Sequence, residues 1–205
     1  MRTKPLLLAA LVICPLFAGC YDSKNPLSDP EKSKLDPRLS GLWLLRERDR
    51  AGLDARYFHI GVAGDKLPPG VMRAVEVGHN SDGTLERPVE FLMFSTTIGS
   101  SAYLNLAVGS DEQLKALKEK GWKGVEGYFL MKYTVEGDTL LVWKMDADAK
   151  QRAIESRKVR GEITPEGVLE DMNTLTDTME NVARFVAAAG DSSFATNAGH
   201  LDRVK

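Results

Sequence analysis

Two stretches of the chain, Phe91-Leu92-Met93-Phe94 and Leu140-Leu141-Val142-Trp143, are apolar at every position. Each lies in a segment rich in β-branched and aromatic residues, the types that strands favour. Side chains alternate between the two faces of a strand, so both faces of these segments are apolar. Such strands need cover from both sides. The surrounding chain must therefore build a sheet with two buried faces, not one open to water on one side.

The neighbouring segments supply that sheet. Residues 57–63 place Phe58, Ile60 and Val62 at period two, and residues 71–77 place Val71, Val75 and Val77 on one face. Residues 39–47 carry Trp43 between Leu42 and Leu44. Segments 89–98 and 102–108 are expected to pair about Gly99-Ser100, and 128–135 with 139–145 about Glu136-Gly137-Asp138. Asn80-Ser81-Asp82-Gly83 reads as a turn. Three helices are expected to interrupt the strands. The first spans 111–120, capped by Ser110 and stopped by Gly121. The second spans 146–158, with Asp146 as its cap. The third spans 177–189, with Met179, Val182, Ala183 and Val186 on one stripe and Gly190 at its end. Short strands are expected at 159–163 and 168–175. Hairpins followed by late helices argue for an α+β fold. The expected form is a mainly antiparallel, strongly curved sheet or partly closed β-barrel with two to three helices. Gly41-Leu42-Trp43 resembles the Gly-x-Trp first strand of lipocalin-like barrels, and that resemblance also implies a barrel.

The N-terminal residues are of another kind. Arg2 and Lys4 precede an apolar run from Leu6 to Phe17, shorter than the ~20 residues a membrane-spanning helix needs. Ala18 and Gly19 then supply the small residues of a signal-peptidase site. Leu16-Phe17-Ala18-Gly19-Cys20 resembles the lipobox of bacterial lipoproteins, with Phe17 where Leu is usual. The resemblance implies cleavage between Gly19 and Cys20, a lipid on Cys20, and attachment to a membrane through it. Cys14 does not fit, because bulky Ile13 stands where a small residue is needed. Tyr21 follows the anchor in place of Asp, which implies the outer membrane, on the inner leaflet facing the periplasm.

Three parts are expected: a signal peptide over 1–19, a lipidated Cys with a flexible tether over 20–37, and one β-rich domain over 38–205. Pro26, Pro30 and Pro37 recur among polar residues in the tether. Fully extended, it would reach ~50 Å at ~3.3 Å per residue. The domain has no cysteine, since the only two are Cys14 and Cys20, which excludes disulfides and a Cys-ligated zinc. The formal net charge is −2, with no clustered basic stretch, so nucleic acid is set aside as a partner.

Little in the domain points to catalysis. His59, His79 and His200 lie in different expected elements and share no ligand spacing, so no metal is expected. Ile98-Gly99-Ser100-Ser101-Ala102 lacks the second Gly of a nucleophile elbow and reads as a hairpin turn. Asp146-Ala147-Asp148 opens a helix, where capping accounts for both acids. Gly61, Gly64 and Gly70 have the wrong spacing for a phosphate loop. No cofactor is expected, and no catalytic residue is assigned. Trp43, Phe58, Phe91, Tyr103, Tyr133 and Trp143 could line an apolar pocket or simply be core. Arg56, Arg73 and Lys132 sit at strand positions whose inward or outward sense periodicity leaves open.

Three functions fit. A non-catalytic module binding a lipid or other apolar molecule predicts an enclosed apolar cavity. An accessory subunit of an envelope complex predicts a filled core and an exposed apolar patch. A hydrolase assembled only in the fold predicts a cleft with shifted pKa values.

Overall fold

The computed structural model describes residues 21–45, 55–64, 67–79, 83–109, 111–164 and 173–205. Gly19 and Cys20, the turn residues Asn80, Ser81 and Asp82, the cap Ser110, and positions 168–172 of the last expected strand lie outside them.

The strands run in chain order as β1 (Gly41–Leu45), β2 (Arg56–Val62), β3 (Val71–Gly78), β4 (Val89–Ile98) and β5 (Ser101–Val108). Helix α1 (Asp111–Lys120) follows, then β6 (Phe129–Glu136) and β7 (Thr139–Lys144). Next come α2 (Ala147–Glu155), the two-residue strands β8 (Gly161–Glu162) and β9 (Thr174–Leu175), α3 (Met179–Ala189) and β10 (Gly199–Arg203). Strands β1 to β7 form an antiparallel meander. β10 pairs with β7 through Leu201 opposite Leu140, and with β1 through Arg203 opposite Trp43. The result is a closed eight-stranded antiparallel barrel, with three helices as minor elements.

Closure is complete, where the sequence pattern leaves a curved or partly closed sheet. The closing strand is Gly-His-Leu-Asp-Arg, with Leu201 its only large apolar residue. So short a segment carries no legible period. Closure pairs each of the eight barrel strands on both sides and removes the edges that would otherwise invite aggregation.

The alternation of β4 now has its explanation. Phe91 and Met93 point into the lumen, beside Trp43, Met72, Leu104, Tyr133 and Leu140. Leu92 and Phe94 point outward into a second core with Tyr103, Leu130 and α3 residues Val182, Phe185 and Val186. Each large side chain so buried contributes about 1.5–3 kcal/mol. α3 reaches that core because its apolar stripe recurs with the helical period. Its Thr178 hydroxyl accepts the Asn181 N–H at the start, and Gly190 ends it at φ 56°. Asp146 caps α2 by accepting the Ala149 N–H at 2.7 Å, as capping chemistry predicts.

Over residues 21–37 the expected flexible tether is instead an ordered strap across the outside of the barrel. Tyr21, Ser23 and Leu27 are 6%, 0% and 3% exposed. Ser23 exchanges both backbone hydrogen bonds with Tyr128, at 3.1 and 2.7 Å. The Leu175 N–H donates to Asp22 O, and the Lys24 N–H to Leu175 O, both at 2.8 Å. Further along, the Leu27 N–H donates to Oδ1 of fully buried Asn105 at 2.7 Å. Ser28 and Thr96 hydroxyls lie 2.6 Å apart. The 3-10 turn Pro37–Leu39 then inserts Leu39, 1% exposed, into the lumen cluster. Pro and polar residues here give a chain without secondary-structure period, and the barrel wall satisfies its backbone groups instead.

Candidate functional site

The six aromatics proposed as a pocket do not share one surface. Trp43, Phe58, Phe91 and Tyr133 face the lumen. Tyr103 and Trp143 belong to the outer core. Tyr103 stacks tilted on Phe194, with ring centroids 5.5 Å apart. Trp143 lies under the Lys132 ammonium, 5.5 Å from its ring centroid. The lumen is tightly packed around Trp43, Met72, Met93 and Leu140, which expose 0–2% of their surface, while Phe58, Ile60, Leu106 and Met131 on the same inward face are only partly buried. Eight-stranded barrels are narrow enough for side chains to fill them.

Polar groups sit at both lumen ends. At the Gly41 end, Trp43 Nε1 donates to Leu39 O at 2.8 Å, and the Arg203 guanidinium lies 4.1 Å from the indole centroid. Arg203 also donates to the Ser40 and Arg38 carbonyls at 2.5 and 2.6 Å. Beside it the Tyr133 hydroxyl donates to Asp36 at 2.8 Å. At the opposite end Arg56 pairs with Glu76, which is 8% exposed, and reaches Glu86 at 3.6 Å. The inward-or-outward question for the cations thus divides them. Arg56 turns in. Arg73 turns out to Glu90 at 2.9 Å, and Lys132 turns out to Asp191 at 2.5 Å. An apolar lumen inside a wall bearing outward charges is the reverse of a membrane-spanning barrel, whose apolar band faces out.

Asp36, Tyr133 and Asp177 are among the groups with shifted acidities. Hydrogen bonds from Arg38 hold the Asp36 carboxyl below the usual range despite its burial, with the Tyr133 hydroxyl adding to the effect. Burial first, then Asp36, pushes the Tyr133 hydroxyl up. Arg160, then Asn181, holds Asp177 low. Asp177 accepts from the Arg160 side chain at 2.9 and 3.1 Å and from the Asn181 amide at 2.8 Å. These carboxylates cap and clamp. Both have folded pKa values below the unfolded ones, so their stabilisation is present above about pH 4 and is lost as pH falls through the folded values. The thermal midpoint should therefore fall steeply below about pH 4, and Asp177→Asn should flatten that fall. Calorimetry across pH 2.5–7 checks it, and an unchanged slope in the variant would remove Asp177 from the account.

The other candidates stay dispersed. His59 and His200 are exposed, on β2 and β10, which are not adjacent. His79 packs edge-on against Tyr57. Among the described residues, no three His, Cys, Asp or Glu side chains group closely enough to hold a metal ion. Ser100 lies in the exposed turn between β4 and β5, where Gly99 has φ 62°. A shallow depression of about 350 Å³ lies on the outer wall, lined by Gly41, His59, Ile60, Gly61, Val62, Arg73 and Val75. Val62 is 62% exposed at its edge. On this side of the wall Leu42, Leu44, Tyr57, Val75 and Val77 are only partly buried among the described residues.

Sequence reasoning missed the groups that fasten the strap. Lys150 of α2 is 2% exposed, and its ammonium lies 2.8 Å from Asp22. The second Asp22 oxygen accepts the Leu130 N–H at 3.0 Å. Asn105 joins Leu27 to Thr96. The available signal was faint: Tyr21 and Leu27 stand as isolated apolar residues among prolines and charges, and Asn105 interrupts the apolar run of β5. No known family, curated protein or solved structure matches the chain.

Proposed function

We propose that this chain is a lipid-anchored protein of the bacterial cell envelope whose barrel serves as a non-catalytic interaction module. The anchor rests on the leader, which resembles a lipoprotein signal peptide ending in Leu16-Phe17-Ala18-Gly19-Cys20. Tyr21 in place of Asp favours the inner leaflet of the outer membrane, facing the periplasm. The Gly-x-Trp first strand and the up-and-down closure favour a lipocalin-like barrel.

The observation that carries the interaction reading is the tight packing of the lumen around Trp43, Met72, Met93 and Leu140. An enclosed apolar ligand would have to displace Trp43, Met72 and Met93, which are 0–1% exposed. The partly apolar outer wall around Leu42, Tyr57 and Val75 is the better-suited surface, and it favours a protein partner over a small apolar ligand. An accessory subunit of an envelope complex is therefore the reading preferred here, ahead of a lipid carrier or a hydrolase.

Two measurements test this. Cys20→Ala should abolish lipid labelling and release the protein from the membrane fraction; continued labelling of that variant would reject the anchor. Native mass spectrometry of residues 21–205 should give the bare protein mass. A bound adduct of lipid size, released on denaturation, would reverse the ranking and restore the ligand-binding reading. The strap must be kept in that fragment, because a start at residue 36 would delete Asp22, Ser23 and Leu27 from the outer core.

A further inference from the structure

Resting on the lipid-anchor reading, we infer that there is no slack between anchor and barrel, so that the barrel end carrying Tyr21, Glu126 and α1 lies directly against the phospholipid surface. The argument starts from where the strap begins. Tyr21 is held by its carbonyl, which accepts the Thr174 hydroxyl at 3.0 Å. Its ring packs against Phe129 with centroids 5.7 Å apart, and a Cβ on Gly127 would meet that ring at 2.4–2.6 Å. Asp22 is fastened to Lys150 of α2, to the Leu130 N–H and to the Leu175 N–H. Ser23 and Lys24 add backbone bonds to Tyr128 and Leu175. Four consecutive residues are thus tied to three separate elements. Cys20 is one peptide unit away, and successive Cα atoms are only ~3.8 Å apart. A lipid on Cys20 must leave the domain at this point of its surface.

The strand directions define which end that is. β6 starts at Phe129, beside Tyr21, and runs away to the hairpin at Gly137. The strap runs the same way, by Leu27 on Asn105 and Ser28 on Thr96, to Asp36 on Tyr133. The near end therefore holds Tyr21, Glu126 and the α1 connection. The far end holds the Gly99-Ser100 turn and the Pro37–Leu39 plug. With the near end on the bilayer, the depression edged by Val62 and Gly41, at the far ends of β2 and β1, faces the aqueous compartment and is open to a partner.

The test uses the full chain, acylated in cells and reconstituted into phosphatidylethanolamine–phosphatidylglycerol vesicles that carry a nitroxide on the lipid headgroup. Once Cys20 is acylated, positions 21–205 contain no other cysteine, so Glu126→Cys and Ser100→Cys each take one fluorophore. Intact mass is read first. Quenching several-fold stronger at position 126 than at position 100 is the expected result, and a flexible Gly/Ser linker inserted between Cys20 and Tyr21 should abolish the difference. Equally weak quenching at both positions in acylated protein overturns this placement while leaving the anchor standing. A protein without acyl mass on Cys20 overturns the anchor, and the placement with it.

Discussion

Asp22→Ala is expected to lower the unfolding free energy by about 3–5 kcal/mol, because it leaves the Lys150 ammonium buried without its counter-charge. The lower part of that range is expected, since Asp22 keeps 16% of its side chain exposed. The variant also takes the acceptor from the Leu130 N–H, a bond of 3.0 Å. Urea titration of residues 21–205 gives the number. Hydrogen exchange should show the amides of Ser23 and Lys24 losing protection before the barrel does, since local opening precedes global unfolding where contacts are few. The double variant Asp22→Leu with Lys150→Met removes both charges, and should recover much of the loss. A single-variant cost below about 1 kcal/mol would place the pair with ordinary surface ion pairs and count against a fastened strap.

Trp43→Ala is expected to cost a further-reaching 3–5 kcal/mol or so, the usual range for deleting a buried Trp. Trp43 has no exposed surface and sits where three devices of closure meet. It packs the lumen, donates to Leu39 O at 2.8 Å, and lies under Arg203, whose strand is the one that closes the barrel. Losing it leaves a cavity in the lumen and loosens both the plug and β10. Trp43→Phe keeps a ring for packing and for the cation while losing the bond to Leu39, and should cost only about 1–2 kcal/mol. Denaturant midpoints separate the two variants. If Phe were as damaging as Ala, the indole N–H would matter more than the packing.

Much of the barrel was legible from the chain. The hairpins about Gly99 and about Gly137-Asp138 stand where turn residues meet alternating strands, and the doubly apolar β4 does bury both faces. α3 is found along its apolar stripe, and Asp146 caps its helix. These features are local: a period, a cap or a turn is written in neighbouring residues. The short expected strands at 159–163 and 168–175 shrink, within the described residues, to Gly161–Glu162 and Thr174–Leu175. Little period exists in so few residues, and pairing with one another sets their limits.

The set of strands, the need for two covers and the leader-like start can thus be read along the chain alone. Closure, the fate of the strap and the sense of each polar side chain were decided only in three dimensions. β10 has one large apolar residue, yet it becomes a strand because β7 and β1 each offer it an unpaired edge. The strap has no period at all, and it is ordered because Asn105, Lys150 and Tyr128 wait for it from 78 to 128 residues away in the chain. The six aromatics divide between lumen and outer core by strand parity across the whole barrel. Long-range partners set each of these outcomes, and a buried polar group settles only where another element can answer its hydrogen bonds.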